Sequence, residues 1–572
     1  FMPRDEAARE GLMSIFERVL STYDLEVLEW RSVPTDNSDL GATAVESEPD
    51  VYQAFVAPTE SIEDDDEFDR TLYIARRAAE KEISTLDSTG AARFYICSLS
   101  RQTVVYKGLL KGEQLADYYT ELNDERVKST LTLVHARFST NTLGAWHLAH
   151  PYRHIVHNGE INTIQGNINW MRSRETDLSH PAFGDDLETI KPVINDPDQS
   201  DTASVDNAVE LLLQSDRELP HVLRMLIPEA YRGDDQMDSQ RQAWYDYHAS
   251  LVEPWDGPAL VAATDGDRIA AVLDRNGLRP CRYDITTDNT LIMASEVGAL
   301  DPDPSEIRER GPAEGRVIPD DEVFDSLTDE KYTEWVEDEQ HHLEEVCQSD
   351  SCAPQNDIEH LRAAQAAFGY THDQINHLIE PMAEDGKDPV GSMGDDTPLS
   401  VLSDFNRPLF TYFKQLFAQV TNPPLDYIRE ELVTSLESRV GAQQNLLDET
   451  AEHARQLVLD SPVLTDPQLR SIRDLGSTES DFMSSAVVDI TYSPETPMEE
   501  AIERVRSEAR DAINEGAEVI VLSGQHAGET AELEEIHRRG MNADTGTISE
   551  NGHEFETKLE KLVAVGDLEV TE

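Results

Sequence analysis

Three short apolar runs, each interrupted or closed by a turn dipeptide, constrain the fold of this chain most strongly. Residues 154–159 (HIVHNG) end in Asn-Gly, residues 259–274 (ALVAATDGDRIAAVLD) contain Asp-Gly, and residues 281–296 (CRYDITTDNTLIMASE) contain Asp-Asn. Such dipeptides beside apolar runs favour tight turns that join antiparallel strands. The sequence therefore predicts β-hairpins over 259–274 and 281–296, and a turn at the end of 154–159.

Helices and further strands are predicted around these hairpins. Apolar residues at helical spacing predict helices at four places: residues 4–23, a segment that ends at Lys81, residues 207–214 and residues 221–231. The runs RFYICSLS and QTVVYKG predict a hairpin over 93–108, and LTLVHARFS predicts a strand over 131–139. Two layers of antiparallel strands with helices outside them fit residues 1–300.

The second half of the chain has the pattern of a parallel sheet. An apolar run at 486–492 is followed by an amphipathic segment over 498–514 and a second apolar run at 518–523. A strand–helix–strand order of this kind joins parallel strands. The acidic, weakly periodic stretch over 330–347 indicates a solvated helix that acts as a spacer between the two halves.

We therefore predict an α+β domain over residues 1–345, an α/β domain over residues 346–525 and a polar tail over residues 526–572. No run of 18 or more apolar residues occurs, so no transmembrane helix is predicted. The start of the chain, FMPRDEAARE, also lacks the pattern of a secretory signal. The four cysteines form no Cys-x-x-Cys motif, which is typical of a protein of the reducing cytoplasm.

The charge of the chain excludes two classes of partner. Asp and Glu number 114 against 47 Lys and Arg, which gives a formal net charge of -67. Such a surface repels nucleic acid and anionic membranes. Of the basic residues 37 are Arg and ten are Lys. This depletion of lysine favours a protein adapted to molar salt over an ordinary acidic enzyme, because salt screens the repulsion among the carboxylates.

The densest chemistry lies between residues 135 and 175. Arg137 lies within a predicted strand, and Asn158 and Gly159 close the next one. A strand that ends in Asn-Gly can present a side-chain amide beside a backbone N–H, which together form an oxyanion hole for acyl transfer. The same dipeptide is more often a plain hairpin turn, so the dipeptide alone leaves both interpretations open.

Three groups of residues could indicate a metal site. Four histidines lie within eleven residues, although Pro151 interrupts any helix that would align them: His147, His150, His154 and His157. A second group on the predicted spacer is loosely spaced: His341, His342, Cys347 and Cys352. The adjacent carboxylates Asp395 and Asp396 fit a helix cap better than a cation site. We therefore predict no metal site.

Longer strings in the chain resemble one known family. In the first half they are RFSTNT (137–142), HNGEINTIQGN (157–167), WMRSRE (170–175), SDTASVDNAVELLL (200–213) and DRNGLRP (274–280). In the second half they are GSMGDDTPLSVLS (391–403) and FKQLFAQVTNPPLDYIREELVTSL (413–436). Together they resemble the glutaminase and central domains of the glutamate synthase large subunit, which belongs to the class II glutamine amidotransferases, over roughly residues 1–523.

The resemblance implies a four-layer αββα sandwich, like that of the Ntn hydrolases, for residues 1–345. It implies an enzyme that releases ammonia from L-glutamine, which then combines with 2-oxoglutarate to form L-glutamate. The oxyanion would be held by the Asn158 side chain and the Gly159 N–H, the substrate α-carboxylate by Arg137 and its α-ammonium by Asp201. The nucleophile of this family is an N-terminal cysteine, whose own α-amine is the base.

The resemblance also sets expectations for cofactors and partners. No cofactor is expected within this chain, whereas the complete enzyme would use FMN and an iron–sulfur cluster. Besides L-glutamine, the expected partners are the FMN-binding synthase domain and an electron donor, either an NADPH-linked subunit or ferredoxin. An oligomer is expected.

The chain departs from the family pattern at both ends. FMPRDEAARE resembles a segment some tens of residues into the family, so we expect the cysteine-bearing segment to be missing and this chain alone to be inactive. The likeness is expected to fade after residue 523. The alternative is a non-catalytic scaffold subunit, whose pocket binds glutamine or glutamate without cleaving it.

Overall fold

The structure, a computed structural model, divides into two compact units. Unit 1 comprises Phe1–Gln340, Leu432–Ser435 and Gln443–Arg455, and unit 2 comprises His341–Glu431, Leu436–Ala442 and Gln456–Glu572. The described residues are 1–62, 64–86, 90–138, 144–195, 199–296, 298–300, 302–312, 320–347, 370, 372–386, 426–477, 482–493, 495–523, 531–538, 544–550 and 553–558. Within these ranges, no helix has the length and apolar character needed to span a bilayer.

The helices of unit 1 include all four that the sequence predicts. They are α1 (Glu6–Thr22), α2 (Ala42–Ser47), α3 (Asp65–Ser84), α4 (Leu115–Tyr118), α5 (Ile164–Arg174), α6 (Leu187–Ile190), α7 (Asp201–Leu213), α8 (Leu219–Leu226), α9 (Ser239–Leu251), α10 (Asp320–Leu327) and α11 (Glu330–Glu339). Asp5 caps α1 and Asp64 caps α3, because each carboxylate accepts a backbone N–H of the first turn. In the same way the Ser200 hydroxyl caps α7, which begins earlier than predicted.

The strands in the described part of unit 1 form small antiparallel sheets. They are β1 (Leu25–Ser32), β2 (Tyr52–Pro58), β3 (Ile155–Gly159), β4 (Ala259–Thr264), β5 (Ile269–Leu273), β6 (Arg282–Thr286), β7 (Leu291–Ala294) and β8 (Ile307–Pro312). β1 pairs with β2, and the other two sheets have the orders β3-β4-β5 and β7-β6-β8. The predicted Asp-Gly hairpin joins β4 to β5, and the predicted Asp-Asn hairpin joins β6 to β7. In the second turn Asn289 has a φ of 66°, a conformation that Asn tolerates.

The main core of unit 1 lies between the sheet β3-β4-β5 and the helices α5, α7, α8 and α9. Helix α7 is buried from Thr202 to Leu212, and Leu211 and Leu212 are fully buried. Trp244 of α9 and Val222 of α8 are also fully buried in this cluster. Each such side chain contributes roughly 1.5–3 kcal/mol through apolar burial. The first turn of α7 is therefore held firmly beside β3.

Two predicted strand regions are not strands in the structure. Residues 94–108 contain no strand, and residues 131–138 run as irregular backbone. In the first region serine side chains take backbone donors that a hairpin would use: Ser98 Oγ accepts from Val105 N–H, and Ser100 Oγ accepts from Thr103 N–H. In the second region His135 Nδ1 accepts the N–H of Arg137. Such local side-chain bonds compete with the pairing of strands.

The prediction of a solvated spacer over residues 330–347 is also wrong. Helix α11 ends at Glu339, and its Tyr332 is only 3% exposed. Trp335 and Val336 of the same helix pack against the main core of unit 1. The apolar residues of this acidic segment therefore share one face of a packed helix. The segments 432–435 and 443–455, placed in the second domain by the sequence analysis, also pack in unit 1.

The elements that follow Gln340 are shorter. The helices are α12 (Leu343–Val346), α13 (His372–Gln374), α14 (Glu380–Asp385), α15 (Tyr427–Val433), α16 (Asp466–Arg473) and α17 (Met498–Asn514). The strands are β9 (His341–His342), β10 (Ser438–Val440), β11 (Leu457–Leu459), β12 (Ser485–Asp489), β13 (Val519–Ser523), β14 (Ala531–Arg538), β15 (Asp544–Glu550) and β16 (His553–Lys558). β12 and β13 are parallel, with Ser485 opposite Val519, and α17 connects them, so the predicted βαβ unit is confirmed. In the predicted polar tail, β14, β15 and β16 form an antiparallel sheet.

Candidate functional site

The carboxyl end of β3 carries the two predicted oxyanion residues, Asn158 and Gly159. Ile155 and Val156 at the start of the strand are buried, which anchors it in the core. Gly159 has a φ of 140°, and a Cβ at this position would lie 1.9 Å from the carbonyl oxygen of Pro258. Only glycine fits so close an approach of two backbones. The conformation at the end of β3 therefore depends on Gly159 having no side chain.

The side-chain amide of Asn158 is held by the segment after β7. Its Nδ2 donates to Ser295 Oγ at 2.9 Å and to Glu296 Oε1 at 3.3 Å. Neither acceptor is among the predicted site residues. Both follow the second predicted hairpin, so the site includes the sheet β7-β6-β8 as well as β3.

Asp201, the residue predicted to bind an ammonium group, begins α7 and is bonded to the loop that follows β3. Its Oδ2 accepts the N–H of Ile161 at 3.0 Å, and its Oδ1 accepts the N–H of Thr202 at 2.7 Å. The Nε2 of His157 lies 3.2 Å from Oδ1. Burial alone would raise the pKa of Asp201, but His157 and these backbone donors outweigh it and lower the pKa to about 2. The structure therefore holds the Asp201 carboxylate against the N–H of Ile161, two residues past the Asn-Gly dipeptide.

Arg137 is connected to the same place through its backbone. His150 Nδ1 donates to the carbonyl oxygen of Arg137 at 2.9 Å, and His150 Nε2 lies 2.9 Å from Thr202 Oγ1. The ring of His150 stacks on that of His135, whose Nε2 lies 2.8 Å from the His157 carbonyl oxygen. The side chain of Arg137 is exposed. The structure thus ties the backbone of Arg137 to the start of α7 and leaves its guanidinium exposed.

A residue that the sequence analysis missed connects α7 to β3. The carboxylate of Asp206 is fully buried and accepts the backbone N–H groups of Arg153, His154 and Ile155 at 3.2, 2.8 and 3.2 Å. A buried charge is tolerated when hydrogen bonds satisfy it in this way. An acidic residue within the apolar helix DTASVDNAVELLL was the signal that could have identified it.

The buried imidazole of His150 predicts that acid destabilises unit 1. Burial, with the charge of the neighbouring His135, lowers the pKa of His150 from 6.5 to about 3. Between these values the unfolded chain gains a proton that the folded chain does not, so stability present above pH 6.5 is lost as the pH falls toward 3. We expect wild-type protein to lose about 2 kcal/mol more than the His150→Gln variant between pH 6.5 and 4.5. Urea unfolding at both pH values measures this, and equal losses would contradict it.

The remaining candidates from the sequence are cysteines and one pair of adjacent carboxylates. Cys97 is half-buried, whereas burial raises the pKa of the Cys281 thiol to about 11. Because the thiolate is the reactive form, Cys281 is a poor nucleophile. Cys352 and the pair Asp395 and Asp396 lie outside the described residues.

Comparisons with known proteins agree on one family. The family model for class-II glutamine amidotransferases matches residues 1–335, and the family model for the central domain of glutamate synthase matches residues 363–536. The second match extends past residue 523, where the sequence analysis ended the likeness.

Three similar curated proteins are glutamate synthases. The large chain of glutamate synthase [NADPH] from Bacillus subtilis is 38% identical over 575 residues, covering 96% of this chain and 37% of the relative. The ferredoxin-dependent glutamate synthase of the chloroplast from Oryza sativa subsp. japonica is 39% identical, covering 91% and 33%. Glutamate synthase [NADH] from Schizosaccharomyces pombe is 38% identical, covering 92% and 26%. The chain spans about a third of the length of the first two relatives.

Proposed function

The chain belongs to the class-II glutamine amidotransferases, and on that basis we propose that it carries the glutamine site of a glutamate synthase. One observation supports the proposal above the others. Asn158 and Gly159 end a buried strand, and the Ile161 N–H of the following loop is bonded to the Asp201 carboxylate. This bond joins the loop after the two proposed oxyanion residues to the proposed ammonium-binding carboxylate at the start of α7. The small antiparallel sheets with helices around them support the proposed four-layer αββα arrangement of this domain.

The four predicted residues divide the recognition of L-glutamine among them. The Gly159 N–H and one Asn158 N–H, which exchanges its longer bond to Glu296 Oε1 for the substrate, stabilise the oxygen of the substrate's side-chain amide as it gains charge. Asp201, which stays ionised at neutral pH, binds the α-ammonium. The exposed guanidinium of Arg137 binds the α-carboxylate through two parallel hydrogen bonds. Hydrolysis in such a site converts glutamine and water to glutamate and ammonia.

We propose that the same pocket serves either role, the enzymatic one or the non-catalytic binding of glutamine. In the family mechanism the thiol and its base, a free α-amine, belong to one residue.

The redox half of glutamate synthesis is proposed to belong to other parts of the enzyme. FMN and an iron–sulfur cluster would carry electrons there, and the names of the relatives indicate NADPH, NADH or ferredoxin as donors. Among the described residues, Cys97, Cys281 and Cys347 are free thiols. We propose a cytoplasmic location, which these free thiols support.

Replacing Asp201 by asparagine is expected to weaken L-glutamine binding roughly 10- to 100-fold, because a charge-assisted hydrogen bond to the ammonium is lost. Isothermal titration calorimetry of the whole chain in molar KCl measures this. The matched control is Asp216→Asn, because Asp216 is 72% exposed and pairs with Arg70 of α3 rather than with β3. Equal affinities for wild type and Asp201→Asn would argue against the proposed site.

We further propose that the protein is adapted to high salt. With a net charge of -67, repulsion among surface carboxylates opposes folding at low ionic strength. Raising KCl from about 0.15 M to about 3 M shortens the screening length from about 8 Å to below about 3 Å. We expect the thermal unfolding midpoint to rise by at least about 5 °C, which corresponds to a gain of about 2 kcal/mol in the free energy of unfolding. Differential scanning calorimetry measures it, and an unchanged or lower midpoint in 3 M KCl would oppose the proposal.

A further inference from the structure

Unit 1 contains a second group of polar side chains that the glutamine site does not use. His221 of α8, His248 of α9 and Glu449 converge although they lie far apart in the sequence, and their ligand atoms lie within 4.8 Å of one another. His221 and His248 are held against the main core, where the ring of His248 stacks on that of Trp244 at 3.9 Å. The group therefore belongs to a rigid part of the fold.

The distances within this group suit one small cation. The two Nε2 atoms lie 2.8 Å apart, and Glu449 Oε1 lies 3.5 Å from that of His221 and 3.9 Å from that of His248. Ligands about 2.0–2.2 Å from a tetrahedral Zn²⁺ lie roughly 3.3 Å from one another. The observed separations fall on both sides of that value, so shifts of well under 1 Å would produce one face of a tetrahedron.

The surroundings orient two of the three ligand atoms. His248 Nδ1 donates to the carbonyl oxygen of Trp244 at 2.7 Å, which leaves the lone pair on Nε2 directed at the group. The Tyr332 hydroxyl donates to Glu449 Oε2 at 2.7 Å and leaves Oε1 facing the histidines. Partners of this kind orient the ligands in known metal sites.

A cavity of about 480 Å³ adjoins this group of side chains, and its lining is negatively charged. Two cations beside Glu449 oppose a metal: Arg217 Nε lies 3.3 Å from Oε1, and Lys331 Nζ lies 3.4 Å from Oε2. Lys331 is 38% exposed and can turn to solvent. Besides Glu449, four carboxylate residues line the same cavity: Asp216, Glu218, Asp329 and Asp448. Counting Glu449, the acids outnumber the two cations, so the local field favours a divalent ion.

We propose that His221 Nε2, His248 Nε2 and Glu449 Oε1 bind one divalent transition metal ion, preferentially Zn²⁺, with the fourth position open to the cavity. Two imidazoles, one carboxylate and an open position form a donor set that suits Zn²⁺. The site uses none of the residues assigned to glutamine. It also departs from the prediction of no metal site, because residues of three distant segments form no spacing motif.

The test is a titration of the metal-free whole chain with Co²⁺, followed by displacement with Zn²⁺. We expect one Co²⁺ per chain with the visible absorption of tetrahedral cobalt, which Zn²⁺ abolishes. Glu449→Gln keeps the size of the side chain, and His221→Gln changes the less buried histidine. Each is expected to weaken binding by about 100-fold or more, since even indirect partners of a metal are worth 10- to 100-fold.

The matched control is His377→Gln, which removes an exposed histidine of unit 2 and is expected to leave the affinity unchanged. Thermal unfolding without metal establishes that each variant is folded. If one variant does not fold, the other and the wild-type spectrum still decide the question. A wild-type chain without the tetrahedral Co²⁺ spectrum, or equal affinities in wild type and both variants, would overturn the proposal and leave a plain ion-pair network.

Discussion

Replacing Gly159 by alanine is expected to lower the free energy of unfolding of unit 1 by about 4 kcal/mol or more. The new Cβ would lie 1.9 Å from the Pro258 carbonyl oxygen and 2.8 Å from the Ala259 Cα, both of which are backbone atoms. A backbone cannot rotate away as a flexible side chain can, so β3 and β4 would have to separate at this end. The φ of 140° adds strain for any residue with a side chain.

Urea unfolding of wild type and Gly159→Ala measures this effect. The control is Gly166→Ala, because Gly166 lies in helix α5 with open space around it. Alanine there is expected to stabilise the protein by about 0.5–1 kcal/mol, since it favours the helix. Glutamine binding should be lost in Gly159→Ala and kept in Gly166→Ala. A Gly159→Ala variant as stable as wild type would show that the strand end has a different conformation.

Replacing Asp206 by asparagine is expected to cost about 3–5 kcal/mol, the usual range for breaking a buried charge pair. The carboxylate accepts three backbone N–H groups before and within β3 and lies 3.8 Å from the Arg153 guanidinium. An asparagine amide would direct its own N–H groups at one of these donors. It would also remove one of the carboxylates that neutralise Arg153, whose side chain is only 9% exposed and whose other ion pair is with Glu80.

The control for this variant is again Asp216→Asn, which makes the same chemical change at the surface. Asp216 has a φ of 65°, which Asn tolerates, and its carboxylate, which pairs with Arg70, is 72% exposed. Its loss is therefore expected to cost less than about 1 kcal/mol. Thermal and urea unfolding of both variants separate the two cases. Equal stability of Asp206→Asn and Asp216→Asn would show that Asp206 does not hold β3.

The sequence predicted best those parts of the fold that depend on local chemistry. The Asp-Gly and Asp-Asn turns predicted the hairpins β4-β5 and β6-β7, and the amphipathic period of 498–514 predicted α17 with its correct bounds. The hairpin over 93–108 failed because Ser98 and Ser100 satisfy backbone donors locally. Strand propensity contains no information about such competition. The spacer failed because three apolar residues among acidic ones suffice to bury one face of α11.

The residues of the candidate site could be predicted only where they lie in short sequence motifs. Asn158, Gly159 and Asp201 followed from a resemblance, and the bond between Ile161 and Asp201 connects the loop after β3 to α7. Asp206 and the bonds from Asn158 to Ser295 and Glu296 depend on contacts between distant segments. The histidine–glutamate group depends on three such segments, so no spacing rule could have indicated it. The roles of Arg137, Asn158, Gly159 and Asp201 stay predictions.

A crystal structure of the whole chain grown in molar KCl with L-glutamine would test the central claim most directly. The account predicts glutamine with its side-chain amide oxygen within hydrogen-bond distance of Asn158 Nδ2 and the Gly159 N–H. Its α-ammonium should contact Asp201, and its α-carboxylate should contact the guanidinium of Arg137. Glutamine bound away from the end of β3, or a pocket without glutamine at saturating concentration, would contradict the account.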